Sequence, residues 1–305
     1  MIKRNDIITI FGGSGFVGKN LVHRLAKTGA KIKVLGSHAS NSQELMTTGA
    51  IGQIALININ IGHKDAVEKA IAGSDYVINL IGIRFERKKT SFESTHIKFA
   101  SLVAELSAKH NVKRLLHISA LGVEKAKTSK YAKSKLAGEK AVLKYFPNAT
   151  ILRPSVIFGP DDSFINLFNW VSKISPFLPL IGGGLTLFQP VYVGDVAEAS
   201  VKSLELPEKM VCGRVFELGG PREYTFRQIL ELILETSGRQ RILLTIPIFI
   251  AKIKAFFLEL MPNPLLTRDQ IQLLQYNNIV TNGNGLESLD IKPTPMESII
   301  KDYIR

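Results

Sequence analysis

Ile7-Ile8-Thr9-Ile10-Phe11-Gly12-Gly13-Ser14-Gly15-Phe16-Val17-Gly18 is an apolar strand that breaks into a glycine-rich turn and then enters a helix. The turn has the form G-x-x-G-x-x-G, and Leu21, Val22, Leu25 and Ala26 continue behind it at helical spacing. A helix N-terminus offers free N–H groups and the positive end of a dipole, so it favours an anion lying close to the backbone. Gly12 permits the tight turn. Gly15 removes the Cβ that would meet a pyrophosphate, and Gly18 lets the helix pack closely on the strand. Strand, turn and helix in this order predict a dinucleotide site.

Outward from this unit, strands read at 7–11, 31–35, 53–57, 75–81, 113–118 and 149–153, and helices at 16–28, 64–72, 92–110 and 130–145. Alternation of apolar strands with helices predicts an α/β fold, a doubly wound parallel sheet of the Rossmann kind, covered on both faces. The glycine turn then lies at the carboxyl edge of the sheet, where ligands bind. Beyond Pro154 the rhythm loosens. Residues 163–175 read as a helix, and Pro176, Pro179 and Gly182-Gly183-Gly184 mark a long loop. Gln189–Val193 reads as a short strand, and Asp195 as the N-cap of a further helix. Residues 1–160, with a later contribution from about 189–206, are expected to form the dinucleotide-binding domain. Residues 161–305 are expected to form a smaller C-terminal α/β lobe that binds substrate or partner.

The chain has 305 residues, of which 45% are hydrophobic and 21% charged, as in an ordinary folded protein. A single cysteine, Cys212, excludes a disulfide framework or a cysteine-based zinc site, and no metal is expected. The first residues lead straight into the first strand, so no secretory leader is expected. A net charge of +13 points to an anionic neighbour: a phosphorylated cofactor, a lipid surface or an acidic protein. No basic helix or aromatic-studded strand matches a nucleic-acid reader, so nucleic acid is not expected as a partner.

Tyr131 and Lys135 stand four apart on one face of a predicted helix, and Ser119 ends the strand twelve residues before the tyrosine. A buried ammonium beside a phenol lowers the phenol's pKa and prepares it to exchange a proton with a carbonyl or hydroxyl. Ser119 would hold the substrate oxygen, and Lys135 would also grip the nicotinamide ribose.

With these residues the chain resembles the extended and atypical short-chain dehydrogenase/reductases over essentially its whole length. Within them it is most similar to the family of nucleotide-binding accessory subunits of respiratory complex I and their bacterial relatives. The segments behind that likeness are 77–82, 117–122, 154–159, 189–196 and Leu266-Thr267-Arg268-Asp269-Gln270. The resemblance implies Gly12, Ser14, Gly15, Phe16 and Gly18 on the pyrophosphate. It also implies Leu80, Ile81 and Gly82 along the passage from adenosine to nicotinamide, Ser119, Tyr131 and Lys135 as the catalytic trio, and Pro154 to Val156 closing over the nicotinamide. His96 stands where many relatives carry a relay asparagine and is a candidate substitute. No acid follows the second strand, whose end reads Leu35-Gly36-Ser37-His38, so NADP(H) is favoured over NAD(H). Ser37, with His38 or Lys33, is the candidate holder of the 2′-phosphate. Asn58-Ile59-Asn60 replaces the usual aspartate near the adenine.

Leu243 to Leu258 is the most apolar stretch, interrupted by Pro247, Lys252 and Lys254, and too broken to span a membrane. It reads either as a core helix over the cleft or as an apolar patch that rests on a membrane or membrane-protein partner. Arg84 to Lys89 reads as a solvated loop near the cleft mouth. The resemblance implies an accessory or assembly subunit of complex I, peripheral on the cytoplasmic side of the inner membrane or on the matrix side of a mitochondrion. An active reductase or dehydrogenase on a small carbonyl or quinone-like substrate, and a sugar-nucleotide epimerase or dehydratase, are the alternatives.

Overall fold

A computed structural model describes residues 1–87 and 90–304. Six parallel strands follow one another along the chain: β1 (Ile7–Phe11), β2 (Lys31–Gly36), β3 (Ile54–Asn58), β4 (Tyr76–Asn79), β5 (Arg114–Ile118) and β6 (Thr150–Pro154). A seventh, Val215–Leu218, pairs in parallel with β6, so the order across the sheet is Val215–Leu218, β6, β5, β4, β1, β2, β3. The reversal of order beside β1 opens the crevice where this class of sheet binds ligands.

One face is covered by α1 (Phe16–Ala26) and α6 (Val193–Glu205), which share a core with Ile8, Ile10 and Val34 of the strands. The other face carries α2 (Lys64–Ile71), α3 (Phe99–Lys109) and α4 (Lys130–Tyr145) around Phe11, Leu35 and Val77. The sheet is therefore apolar on both sides, as the near-continuous hydrophobic strands require. α5 (Ile165–Ile174) belongs to the smaller lobe. That lobe's core gathers Phe158, Leu180, Phe188, Phe226 and Ile233, closed by Met296 and Ile300.

Four expectations for the later chain are corrected. Val215–Leu218 lies in the region read as lobe, yet it completes the central sheet. Pro176–Gly184 is not a long loop: Phe177–Ile181 is a strand, paired in parallel with Ile242–Ile246. Leu243–Leu258 is not a core helix throughout: its first residues belong to that second strand, and after Pro247 the helix runs only over Ile248–Leu258. Asp195 lies inside the first turn of α6 rather than at its cap. Its carboxylate accepts from the Thr294 backbone N–H (2.7 Å) and hydroxyl (2.9 Å), fastening the C-terminal segment to the sheet layer. None of the helices among the described residues is long and apolar enough to cross a membrane.

Candidate dinucleotide site

β1 delivers the chain into the glycine turn with Gly12 at φ +82°, a region that favours glycine. A Cβ on Gly12 would also press on Leu80 and Ile81, so these two residues lie directly against the turn. A Cβ on Gly18 would overlap the Gly12 carbonyl and the Gly13 backbone, so this glycine allows α1 to fold down onto its own turn. Gly15 is different. A Cβ there would meet only the Gly12 oxygen, at 3.3 Å, and the rest of its surroundings are open. α1 has no side-chain cap and no acid in its first turn, so its leading N–H groups are left for an external anion. An open cradle over uncapped amides fits a dinucleotide's pyrophosphate. Phe16 turns its ring against the backbone at Gly159, so it borders the cradle through its main chain.

At the end of β2, a Cβ on Gly36 would come within 2.9 Å of the Ser14 hydroxyl. The glycine leaves this edge without a side chain and without a carboxylate, next to the Ser14 hydroxyl. Ser37 and His38 are exposed beside it. Lys33 is not available to a 2′-phosphate: its ammonium donates to the Ala70 (3.1 Å) and Ala72 (3.4 Å) carbonyls at the end of α2. Asn58 braces the turn after β2, accepting from Ser40 N (3.0 Å) and donating to Ser40 Oγ (2.8 Å).

At the far end of the crevice, Ser119 follows β5 with its hydroxyl buried and without a partner among the described residues. A buried orphan hydroxyl marks a place where an external group is expected. Lys135 donates to the Ile118 carbonyl at 2.7 Å, beside Ser119, and its Nζ lies 3.7 Å from where a Gly82 Cβ would stand. Burial lowers its ammonium to about 8, against the raising pull of Glu139. Ser119, Lys135, Gly82 and the 80–81 passage are therefore brought together.

Tyr131 departs from expectation. Its ring packs edge-on to Phe92 and His96, with centroids 5.8 and 5.5 Å away. Burial pushes its phenol up to about 12, and the cation opposing that rise is Arg84 rather than Lys135. The lowered phenol that the Tyr–Lys spacing predicts is absent from this geometry.

His96 sits in a π-helical turn, Glu93–Lys98, ahead of α3. Gly138 on α4 admits that turn, since a Cβ there would overlap the His96 carbonyl. Both ring nitrogens are engaged. Nε2 accepts the Ile83 N–H (3.0 Å), which leaves the proton on Nδ1 to donate to Ser134 Oγ (2.8 Å). The relay role suggested for His96 gives way to a bracing one. Burial, with the nearby Lys135 charge, holds its pKa down to about 3 from 6.5. The unfolded chain thus binds a proton that the folded chain refuses across that interval, and stability falls as pH drops from 6.5 towards 3. Buried His117, also lowered by burial, acts in the same direction. Thermal melts between pH 7.5 and 4.5 should show this decline beginning above the carboxylate range, and His96→Gln should flatten it.

Two residues of the lobe complete the site. Asp269 accepts from Ser129 Oγ (2.8 Å), Lys130 N (2.7 Å) and Tyr131 N (3.1 Å), capping α4 from outside. Asn278 accepts from Ser155 Oγ (2.7 Å) and Val156 N (3.2 Å) and donates to the Leu121 carbonyl (2.9 Å). It thereby fixes the segment after Pro154. Asp269 stood within a segment singled out by resemblance without a role, and Asn278 carried no sequence signal.

Fold and site together define a nicotinamide-dinucleotide-binding protein of the extended short-chain dehydrogenase/reductase type. The chain belongs to the NAD dependent epimerase/dehydratase family, which matches residues 8–219. It is similar to "NADH dehydrogenase [ubiquinone] 1 alpha subcomplex subunit 9, mitochondrial" of Arabidopsis thaliana, 33% identical over 310 residues, covering 98% of this chain and 77% of that one. It is also similar to "Ceramide reductase" of Caulobacter vibrioides, 28% identical over 244 residues, covering 79% of this chain and 74% of that one. Among solved structures, a Citrobacter triphenylmethane reductase overlays with a TM-score of 0.77 at 18% identity, covering 97% and 99% of the two chains. At that identity the likeness concerns the fold alone.

Proposed function

We propose that this protein is a dinucleotide-holding accessory subunit of respiratory complex I, seated peripherally on the membrane. The observation that carries this reading is the 33% identity to the Arabidopsis complex I subunit across nearly the whole chain. In this reading residues 1–160 and 189–206 hold the nucleotide, and the lobe within 161–305 faces the partner. The bare Gly36 edge and the exposed Ser37 support NADP(H) over NAD(H), because no carboxylate meets the 2′ position. When bound, the nicotinamide supplies a hydride donor or acceptor. Ser119, Lys135, Pro154 and Val156 would surround it.

The lobe supports the membrane seat. The helix Ile248–Leu258 buries only Ala251 and Ala255, while Phe249 is 73% and Phe257 62% exposed, with Ile250, Ile253 and Phe256 also outward. An apolar helix face on a chain of charge +13 matches an anionic bilayer, by apolar burial and by attraction to head groups. Fractionation of native membranes should recover the protein with complex I, and salt should loosen it without releasing it fully, since screening touches only the electrostatic part. Calorimetric titration of that material should favour NADPH over NADH. A wholly soluble protein at low salt, unaccompanied by complex I subunits, would end this reading.

The orphan Ser119 hydroxyl and the likeness to a ceramide reductase favour a second reading, an active reductase of a carbonyl substrate. Under it Tyr131→Phe abolishes NADPH oxidation while cofactor affinity stays near wild type. Under the first reading the substitution changes nothing measurable.

A further inference from the structure

A cavity of about 1010 Å³ lies between residues 84–87 with Phe92, the start of α4, and residues 259–272. None of its walls belongs to the glycine turn, so it is separate from the pyrophosphate cradle. Phe92 forms part of the wall and packs on Tyr131, which sets the cavity on the substrate side of the site.

This wall carries four cations, Arg84, Arg87, Lys130 and Arg268, and three carboxylates, Glu86, Glu259 and Asp269. Arg268 is neutralised by Glu259 at 2.8 Å, and Asp269 is engaged by the start of α4. Arg84 donates to the Ser163 hydroxyl and Arg87 to the Asn263 amide oxygen, both neutral acceptors. Arg84, Arg87 and Lys130 make no ion pair with any described carboxylate. Arg84, Arg87, Lys130 and Arg268 thus face Glu86, Glu259 and Asp269, which leaves the wall with one positive charge in excess. Residues 84–87 form a loop in which Arg84, Glu86 and Arg87 are exposed, as the sequence suggests, and Lys88 and Lys89 lie outside the described residues.

The apolar part of the wall, Phe85, Phe92, Leu260, Met261, Pro262 and Pro264, runs out of the cavity at one end. Leu260, 76% exposed, and Met261 line the chamber and also continue the outward face of Ile248–Leu258. A bilayer that receives Phe256 and Phe257 would therefore meet the mouth of the cavity at head-group depth. We propose that this cavity receives the anionic head group of a membrane amphiphile, with Arg84, Arg87 and Lys130 as its counter-charges and its chains leading out along Leu260 and Met261. The inference rests on the membrane seat proposed above and names the ligand class of the neighbouring site.

The test uses the full chain and three soluble probes: dihexanoyl phosphatidylglycerol below its micelle concentration, dihexanoyl phosphatidylcholine, and inorganic phosphate. Titration calorimetry should give at least tenfold tighter binding of the phosphatidylglycerol than of the other two. Arg84→Gln with Arg87→Gln should erase that preference while NADPH binding and the melting temperature stay near wild type. Equal affinity for both lipids, or no binding of either, overturns the proposal. Inorganic phosphate binding as tightly as the lipid also overturns it, by reducing the cavity to a plain anion site. Flotation with phosphatidylcholine vesicles containing phosphatidylglycerol separates the two ideas. Vesicle binding without short-chain binding sinks the cavity and spares the seat; the reverse sinks the seat and spares the cavity as an amphiphile site.

Discussion

Gly15→Val should fold normally and lose its dinucleotide. Gly15 has φ −80° and ψ 179°, extended backbone that a β-branched residue adopts readily. The first added carbon meets one carbonyl oxygen at 3.3 Å, and the branches then project into the cradle over the uncapped start of α1. The expected loss is at least about 100-fold in affinity, or about 2.8 kcal/mol, read by calorimetric titration with NADPH. Gly18→Val is the control with the opposite signature. Its side chain overlaps the turn backbone, so stability should fall by about 1–3 kcal/mol or more, and binding with it. If Gly15→Val binds NADPH like wild type, the pyrophosphate does not lie in this turn.

Arg153→Met should cost about 3–5 kcal/mol of unfolding free energy. Arg153 lies in β6 with its side chain only 8% exposed, and it forms a two-pronged pair with Glu139 of α4 at 2.9 and 2.6 Å. Glu139 is 4% exposed, so removing the arginine leaves a buried carboxylate without its partner. The second carboxylate, Glu124, is largely in water and contributes little to that loss. Arg153→Met combined with Glu139→Leu should recover much of the stability, because the uncompensated charge is gone. Denaturant unfolding of the two variants measures the difference. A cost below about 1 kcal/mol for the single change would show the pair to be dispensable.

The dinucleotide half of this fold was legible because its signals are local. Strand, glycine turn and helix lie within a few residues of one another, and the apolar runs of β1 to β6 need no partner to be recognised. The lobe was less legible because there local signals compete with tertiary pairing. Pro179 speaks for a loop, yet its strand pairs only with Ile242–Ile246, and a proline is tolerated where one side stays free. Val215–Leu218 is a four-residue run whose place at β6 is decided by the sheet it joins. In the site, residue types were recoverable and their relations were not. The spacing of Tyr131 and Lys135 is helical, as expected, but the phenol turns towards Phe92 and His96 and the ammonium towards Ile118. Asp269 and Asn278 arrive from more than 100 positions away, and no period in the chain announces them.

The cap that Asp269 places on α4 has a consequence for how the molecule is made. Its partners Ser129, Lys130 and Tyr131 leave the ribosome 138 to 140 residues ahead of it. At about 5–20 residues per second, the helix bearing Tyr131 and Lys135 waits on the order of ten seconds with only its local Ser129 cap on Ala132 N, the Lys130 and Tyr131 amides still lacking the Asp269 acceptor. Asn278, which fixes Ser155 and Val156, comes later still. The pyrophosphate cradle is translated first and the nicotinamide end is secured last, so a nascent chain passes through a stage at which half the site exists and the other half is open to water.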